Sequence, residues 1–397
     1  MQFELILILV LGILAGIITG LIPGIHINLV STLLVTFSPF LLQHTSLLSL
    51  VLFIIAMSTT HSFVDAIPSI FLGAPDAAYA ASMLPGHRLL HKGQGYAAVY
   101  WTVVGSFFAL LLCVLLIVPL LKLIPFLVSS TKEFLGYLLV VLVALMIVLS
   151  KRIVKSTLAF FLAGILGYVV LNSSVQEPLM PLLSGLFGVS LLLVSFFETS
   201  TFPLQTLHLP AISKGEQAKA LGAGTLAGVC TAIFPGLGPA QGAVLALQFF
   251  KEITSEGFLI LTGALNTVNF VISLITFYTL DKARNGSIVA INTLVKSITF
   301  FDLAYFFIVS VIVGAMCVFV TLFIARRASL LMNILPYKKV VIGVIVLIVL
   351  VTFFLGSWQG VFVLLLATSA GIVINALGVP KHFGMGCLLL PTILYFL

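Results

Sequence analysis

Gly12-Ile13-Leu14-Ala15-Gly16-Ile17-Ile18-Thr19-Gly20-Leu21-Ile22-Pro23-Gly24 opens the chain, and Gly224-Thr225-Leu226-Ala227-Gly228-Val229-Cys230-Thr231-Ala232-Ile233-Phe234-Pro235-Gly236 reproduces it in the middle. Both stretches carry small residues at every fourth position, the spacing of one helix face, and both end on Pro-Gly. Proline lacks the backbone donor and glycine tolerates unusual dihedrals, so each helix is expected to break there. The likeness continues downstream. Thr60 and Ser62-Phe63-Val64 are echoed by Thr267 and Asn269-Phe270-Val271, and Ala163-Gly164-Ile165-Leu166 by Ala370-Gly371-Ile372-Val373. Self-similarity at this scale reads as an internal duplication, with units at 1–205 and 206–397.

The composition names the solvent. Of 397 residues, 61% are hydrophobic and 7% charged, where soluble domains carry roughly 25% charged residues. Uncharged runs such as Phe134–Ser150, Ser156–Leu171 and Val340–Phe354 recur. A helix needs about 20 apolar residues to cross the hydrocarbon core, which gives roughly ten to twelve membrane segments, some too short to span. Backbone groups in lipid must pair within the segment, so these runs read as helices. The ten-residue alternation of a barrel is not seen. The expected fold is therefore all-α and polytopic, in a cell membrane and surrounded by lipid. The N-terminus lacks a basic n-region and a cleavage site, and reads as a retained first helix. A net charge of +7 then reflects cytoplasmic loops and not a nucleic-acid partner. Cys113, Cys230, Cys317 and Cys387 are isolated in apolar runs without metal-binding spacing, and behave as small hydrophobes.

Basic residues set the orientation of the halves. Lys151-Arg152-Ile153-Val154-Lys155 separates two helices in the first half, whereas the matching Gly356-Ser357-Trp358-Gln359-Gly360 is uncharged. The next pair reverses: 172–177 has no Lys or Arg, and its counterpart holds Lys381 and His382. By the positive-inside rule, equivalent loops lie on opposite faces, which makes the repeats inverted. Broken or re-entrant helices at matched positions mark a transporter's binding site near the midplane. On that ground Pro23, Gly24, His26 and Asn28, with Pro235, Gly236, Gly238 and Gln241, are candidate substrate contacts. Helix N-termini there would face an anion. Ser58, Thr59, Thr60 and His61, echoed by Asn266, Thr267 and Asn269, are polar residues in apolar surroundings. Hydroxyls and amides of this kind hold carboxylate or phosphate oxygens or help coordinate Na⁺.

Acids inside helices are costly and usually functional. Asp65 and Asp76 are therefore candidates for coupling to Na⁺ or protons; Asp76, after Gly73-Ala74-Pro75, equally suits a helix cap. Glu198 is a further embedded acid without an assignable role. His87 and His91 lie beside Arg88 and Lys92 without a carboxylate ligand, so no metal is expected. No Ser–His–Asp order, phosphate-binding glycine loop or HExxH occurs, and neither catalytic residues nor an organic cofactor are expected.

The block Ile70-Phe71-Leu72-Gly73-Ala74-Pro75-Asp76-Ala77-Ala78-Tyr79-Ala80-Ala81-Ser82-Met83-Leu84-Pro85-Gly86-His87-Arg88-Leu89-Leu90-His91-Lys92-Gly93-Gln94-Gly95 resembles the hallmark of TctA permeases. These are the large membrane subunits of tripartite tricarboxylate transporters. Phe234-Pro235-Gly236-Leu237-Gly238-Pro239 is similar to the family's repeated Pro-Gly signature, and Met385–Pro391 to the ending of shorter archaeal members. The resemblance implies a secondary transporter of a di- or tricarboxylate driven by a cation gradient. It also implies a small membrane subunit and an extracytoplasmic binding protein as partners. The chain departs by being shorter than typical members, by Asp76 where glycine usually follows the proline, and by a basic Leu84-Pro85-Gly86-His87-Arg88 tail. Polyprenyl-phosphate translocases have a comparable duplicated layout, so a lipid phosphate is the alternative substrate. An intramembrane enzyme acting on a lipid anion is a third reading that no motif favours.

Overall fold

The computed structural model describes residues 2–22, 27–72, 83–197, 203–233, 238–250, 253–283, 285–334 and 337–397. Among them every regular element is helical. Seven helices are long and apolar enough to cross a membrane: α1 (Gln2–Leu21), α3 (Leu47–Val64) with its continuation α4 (Ala66–Phe71), α6 (Gly95–Leu115), α9 (Ile153–Leu171), α14 (Ser255–Leu280), α16 (Phe300–Met332) and α17 (Tyr337–Ala376). Shorter apolar helices accompany them, among them α7 (Ile117–Thr131), α8 (Leu135–Val148), α10 (Leu179–Leu183), α11 (Ser190–Phe197) and α15 (Gly286–Val295). A π-helical turn, Ser184–Val189, joins α10 to α11. The 40 residues of α17 would stretch to about 60 Å, twice the hydrocarbon core. The helix is interrupted at Ser357, whose φ of 55° and ψ of −162° are not helical, inside the turn expected at 356–360.

The opening motif folds as a hairpin. Gly12, Gly16 and Gly20 of α1 lie in turn against Phe53 and Ala56, Met57 and Thr60, and Val64 of α3, so the two helices run parallel. The chain between them must travel back, and α2 (Ile27–Leu41) is that return segment. Its exit is pinned to the start of α1, where Glu4 accepts hydrogen bonds from Thr45 and Ser49 at 3.4 and 3.3 Å. The expected break takes its re-entrant form: between α1 and α3 the chain reverses direction, since a Pro-Gly pair removes the helical ladder without dictating where the backbone goes next.

The same hairpin recurs in the second half. Gly224 of α12 (Lys214–Ile233) lies against Leu261 and Ala264 of α14, and Gly228 lies against Leu265 and Val268. α13 (Pro239–Phe249) is the return segment. Glu216, matching Glu4, accepts from the Thr254 backbone at 2.9 Å at the start of α14. Small residues admit this close approach, which in lipid replaces hydrophobic collapse as the source of helix association.

The two halves pack crosswise. α6 lies on α14, and α16 on α3; likewise α9 lies on α18 (Gly386–Phe396), and α17 on the π-turn segment. At the first crossing a Cβ on Gly105 would collide with the Ile260 carbonyl, and one on Gly263 with the Thr102 carbonyl. The basic turn of the first half meets the basic loop of the second, where Arg152 donates to the carbonyls of Leu377 and Gly378, both at 3.2 Å. The two uncharged turns also meet: a Cβ on Gly356 would stand 3.1 Å from the Gln176 carbonyl.

These contacts predict opposite signs for two glycine-to-alanine exchanges. Gly222 has nothing within 4 Å of its Cβ position, so Gly222→Ala should gain up to about 1 kcal/mol of helix propensity. Gly105→Ala must push two backbones apart and should cost about 1–3 kcal/mol. Melting temperatures of the purified variants in detergent check both.

Candidate functional site

Both hairpins end in a polar pair built the same way. Thr19, three residues after Gly16, donates its hydroxyl to the Gly16 carbonyl at 3.2 Å and meets His61 Nδ1 of α3 at 3.1 Å. Thr231, three residues after Gly228, donates to the Gly228 carbonyl at 3.0 Å and accepts from Asn269 Nδ2 of α14 at 3.1 Å. A threonine hydroxyl has one proton to give, so with that proton on Gly16 the His61 Nδ1 carries the hydrogen it shares with Thr19. The geometry therefore equates His61 with Asn269. That register is one residue away from the echo of Thr60 by Thr267 in the sequence. Thr59 then stands opposite Thr267, and Asp65 opposite Ser273.

The halves touch at Asp65. Asn266 of α14 donates to Asp65 Oδ2 at 3.2 Å and to the Ser62 carbonyl at 3.4 Å. His61 Nε2 faces the same Oδ2 at 3.7 Å from the preceding turn of α3. Asp65 is 3% exposed and His61 7%, so the pair is enclosed by protein, where an ionised group persists only with partners. Asp65 also stands at the hairpin tip: the Cβ position of Gly20 lies 3.2 Å from its backbone nitrogen.

The remaining candidates divide. Ser58 and Thr60 give their hydroxyl protons to the Ile54 and Ala56 carbonyls at 2.6 and 2.8 Å, and Thr60 accepts from Cys317 at 3.2 Å. Their donors are thus used within the helix. Thr59 and Thr267 are each 1% exposed, and the hydroxyl of neither has a hydrogen-bond partner among the described residues. Gly238 caps α13 in extended conformation, with Pro239 opening the helix. Pro23, Gly24, His26, Asp76, Pro235, Gly236 and Glu198 lie outside the described residues, as do the side chains of Asn28 and Gln241. Sequence reasoning missed Thr19, Thr231 and Ser273. The recurring Gly-x₃-Gly-x₂-Thr spacing was the available signal for the two threonines.

An apolar groove of about 250 Å³ opens between α8, α12 and α13. Leu138 and Leu142 line one side, Leu226 and Cys230 the other, and Thr231, the partner of Asn269, stands at its wall. Elsewhere, His87 sits on the short helix α5 (Met83–Leu90) with its ring 6.2 Å from that of His91. Burial first, then the neighbouring His91 and Lys381, lower its pKa to about 4.

These features define a multi-pass α-helical membrane protein whose polar centre is enclosed by two matched helical hairpins. Its residues 6–386 match the family described as tripartite tricarboxylate transporter TctA, and the chain belongs to that family. It is accordingly a component of the tripartite type, in which a membrane permease works with further components including a binding protein. It is also similar to a protein of Methanocaldococcus jannaschii described as uncharacterized protein MJ1079, 28% identical over 403 residues and covering 99% of each chain. No solved structure matches.

Two measurements follow. Thr231→Val leaves the Asn269 amide without its acceptor and should cost about 1–3 kcal/mol, largely recovered in Thr231→Val/Asn269→Leu, where both partners are apolar; unfolding in mixed detergent reads both. Because the folded value of His87 lies below 6.5, its contribution is full above about pH 6.5 and is lost as pH falls towards 4. His87→Gln should flatten the melting temperature over that window.

Proposed function

We propose that the protein is a secondary active transporter of an organic anion of the di- or tricarboxylate class, driven by a cation gradient. Two inverted repeats, 1–205 and 206–397, form it, and the substrate is held at the paired Pro-Gly breaks near the midplane. The observation that carries this reading is the repeated glycine-lined hairpin ending in a threonine-bonded polar side chain, with Asn266 of one half meeting Asp65 of the other. The meeting of basic turn with basic loop, and of uncharged turn with uncharged turn, supports the inversion. Thr59 and Thr267 offer unspent hydroxyls beside the polar pairs, and amides at the breaks complement a carboxylate. Family membership supports the substrate class and the need for a small membrane subunit and an extracytoplasmic binding protein.

The groove favours a second reading. Its walls are apolar and reach Thr231, a lining suited to the chain of a lipid phosphate whose head group sits at the polar centre.

Vesicles containing the protein, with its small subunit and binding protein where these exist, should accumulate citrate under an imposed Na⁺ or proton gradient. Pro235→Ala should lower that uptake by about tenfold, because it removes the helix-breaking residue on which the site depends. Leu226→Trp, which fills the groove, should leave citrate uptake intact. Uptake indifferent to both gradients, or absent for all carboxylates, sinks the first reading; flipping of polyprenyl phosphate blocked by Leu226→Trp would establish the second.

A further inference from the structure

Packing divides the helices along a line that the sequence repeat does not follow. One apolar core joins α1, α3, α4, α6 and α7 of the first half to α12, α14, α15 and α16 of the second, with α2, α5 and α13 laid against it. A second core joins α8, α9, α10 and α11 to α17, the 3-10 turn Lys381–Met385 and α18. Each bundle therefore takes helices from both halves. Among the described residues, glycine brings backbones together only inside a bundle. Gly105 meets Ile260 and Gly224 meets Leu261 in the first; Gly167 meets Cys387 and Gly371 meets Leu186 in the second. Close contact of this kind is what holds helices together in lipid. Packing between the bundles is thinner. Apart from the chain connections, its most extensive described helix contact is α13 on the 3-10 turn. The groove of about 250 Å³ separates Leu138 and Leu142 of α8 from α12 and α13.

Among the described elements the chain passes between the bundles after α7, after α11 and after α16. The last two crossings meet the first bundle at one point. Asn333, which ends α16, clamps the backbone of Gln205: its Oδ1 accepts from the Gln205 nitrogen at 2.6 Å, and its Nδ2 donates to the Gln205 carbonyl at 3.2 Å. The Gln205 side chain is spent on the turn between α5 and α6. Its Oε1 accepts from the Gly95 nitrogen at 3.0 Å, and its Nε2 donates to the Leu90 and Pro203 carbonyls at 2.9 and 3.0 Å. Both amide hydrogens are thereby used. Thr206 gives its backbone and hydroxyl hydrogens to the Gly93 carbonyl at 2.7 and 3.1 Å. Gly93, at a φ of 75°, leaves no room for a Cβ against the Leu204 carbonyl. The Gly93-Gln94-Gly95 end of the hallmark block is thus occupied by the connector between the halves.

We propose that the two bundles move against each other as rigid bodies during transport, and that the clasp of Gln205 with Asn333 is the pivot, fixed to the first bundle. The proposal rests on the transport reading and assigns its moving parts. Both hairpins, and the bond from Asn266 to Asp65, stay within the first bundle. Motion of the second bundle reaches them through the 3-10 turn on α13, the segment that follows the second Pro-Gly break. A pivot must keep its place while what hangs from it turns. The bonds of Gln205, made by backbone and side chain together, hold it there. One swing narrows the groove between α8 and α12, and the other widens it. The leucines that line its two sides let both positions form without stranding a polar group.

Distances between paired spin labels on the full chain in liposomes test this without a substrate, with Cys230→Ser clearing the exposed thiol. Leu226→Cys with Leu158→Cys spans the bundles. Leu226→Cys with Ile18→Cys lies inside the first, and Leu158→Cys with Phe362→Cys inside the second, all at exposed positions. The spanning pair should give two distances, or a distribution about twofold broader than either inside pair. Gln205→Ala/Asn333→Ala should broaden it further and leave the inside pairs sharp; Asn333→Ala alone, which keeps the Gln205 side-chain bonds, is the milder form. A spanning pair as narrow as the others, or one that loss of the clasp leaves unchanged, overturns the proposal. So does a clasp variant that broadens the first-bundle pair equally, since the clasp then only holds that bundle together. Citrate counterflow in the same liposomes separates the two claims, and loss of the clasp should slow it about tenfold. Broad spanning distances without counterflow in the unsubstituted clasp leave the motion standing and remove the carboxylate reading. Counterflow with narrow spanning distances does the reverse.

Discussion

Hydrocarbon offers a helix no reason to leave lipid for another helix, since both surroundings are apolar, so association must come from close contact between backbones. In this protein that contact is the glycine-lined face of α1 on α3 and its repetition in α12 on α14. Everything polar depends on it. With Gly16 pressed on Met57 and Thr60, and Gly20 on Val64, the last turn of α1 comes near enough for Thr19 to reach His61. A larger residue at either glycine would hold the helices apart and uncouple the threonine. The polar centre is thus a product of missing side chains as much as of present ones.

The second constraint is that polar groups withdrawn from water need partners. α3 and its C-cap residue carry Ser58, Thr59, Thr60, His61, Ser62 and Asp65 within eight positions, all buried. Half are satisfied locally: Ser58, Thr60 and Ser62 donate to carbonyls of their own helix. Asp65 obtains its described partners from two directions, His61 on its own helix and Asn266 from the other half. Thr59 and Thr267, at equivalent positions of the two halves, have hydroxyls without a hydrogen-bond partner among the described residues.

How far the sequence could be read follows from what each signal specifies. Apolar runs and a GxxxG face fix helices and their small-residue contacts, so the all-helical fold was legible. Pro23-Gly24 announces that a helix stops, but the reversal that makes α1 parallel to α3 depends on what Gly12 and Gly16 pack against, which lies more than forty residues downstream. The alignment of the halves slipped by one because threonine was matched with threonine. The contacts match His61 with Asn269, residues unlike in letter and alike in touching a threonine. Thr19 and Thr231 escaped notice because a helical threonine bonded to its own backbone is ordinary; only the partner across the interface makes them informative.

The crosswise packing also bears on how the molecule is made. α3 finds α16 and α6 finds α14 only after the second half exists, so during synthesis the first six helices emerge with their deepest faces still turned to lipid. The Gly105 face of α6 has no backbone to meet until Ile260 has been inserted. A ribosome-bound chain that stops short of α14 is therefore a loose bundle, and its buried carboxylate waits for Asn266 to arrive. Completion of the second half is in effect the folding step of the first.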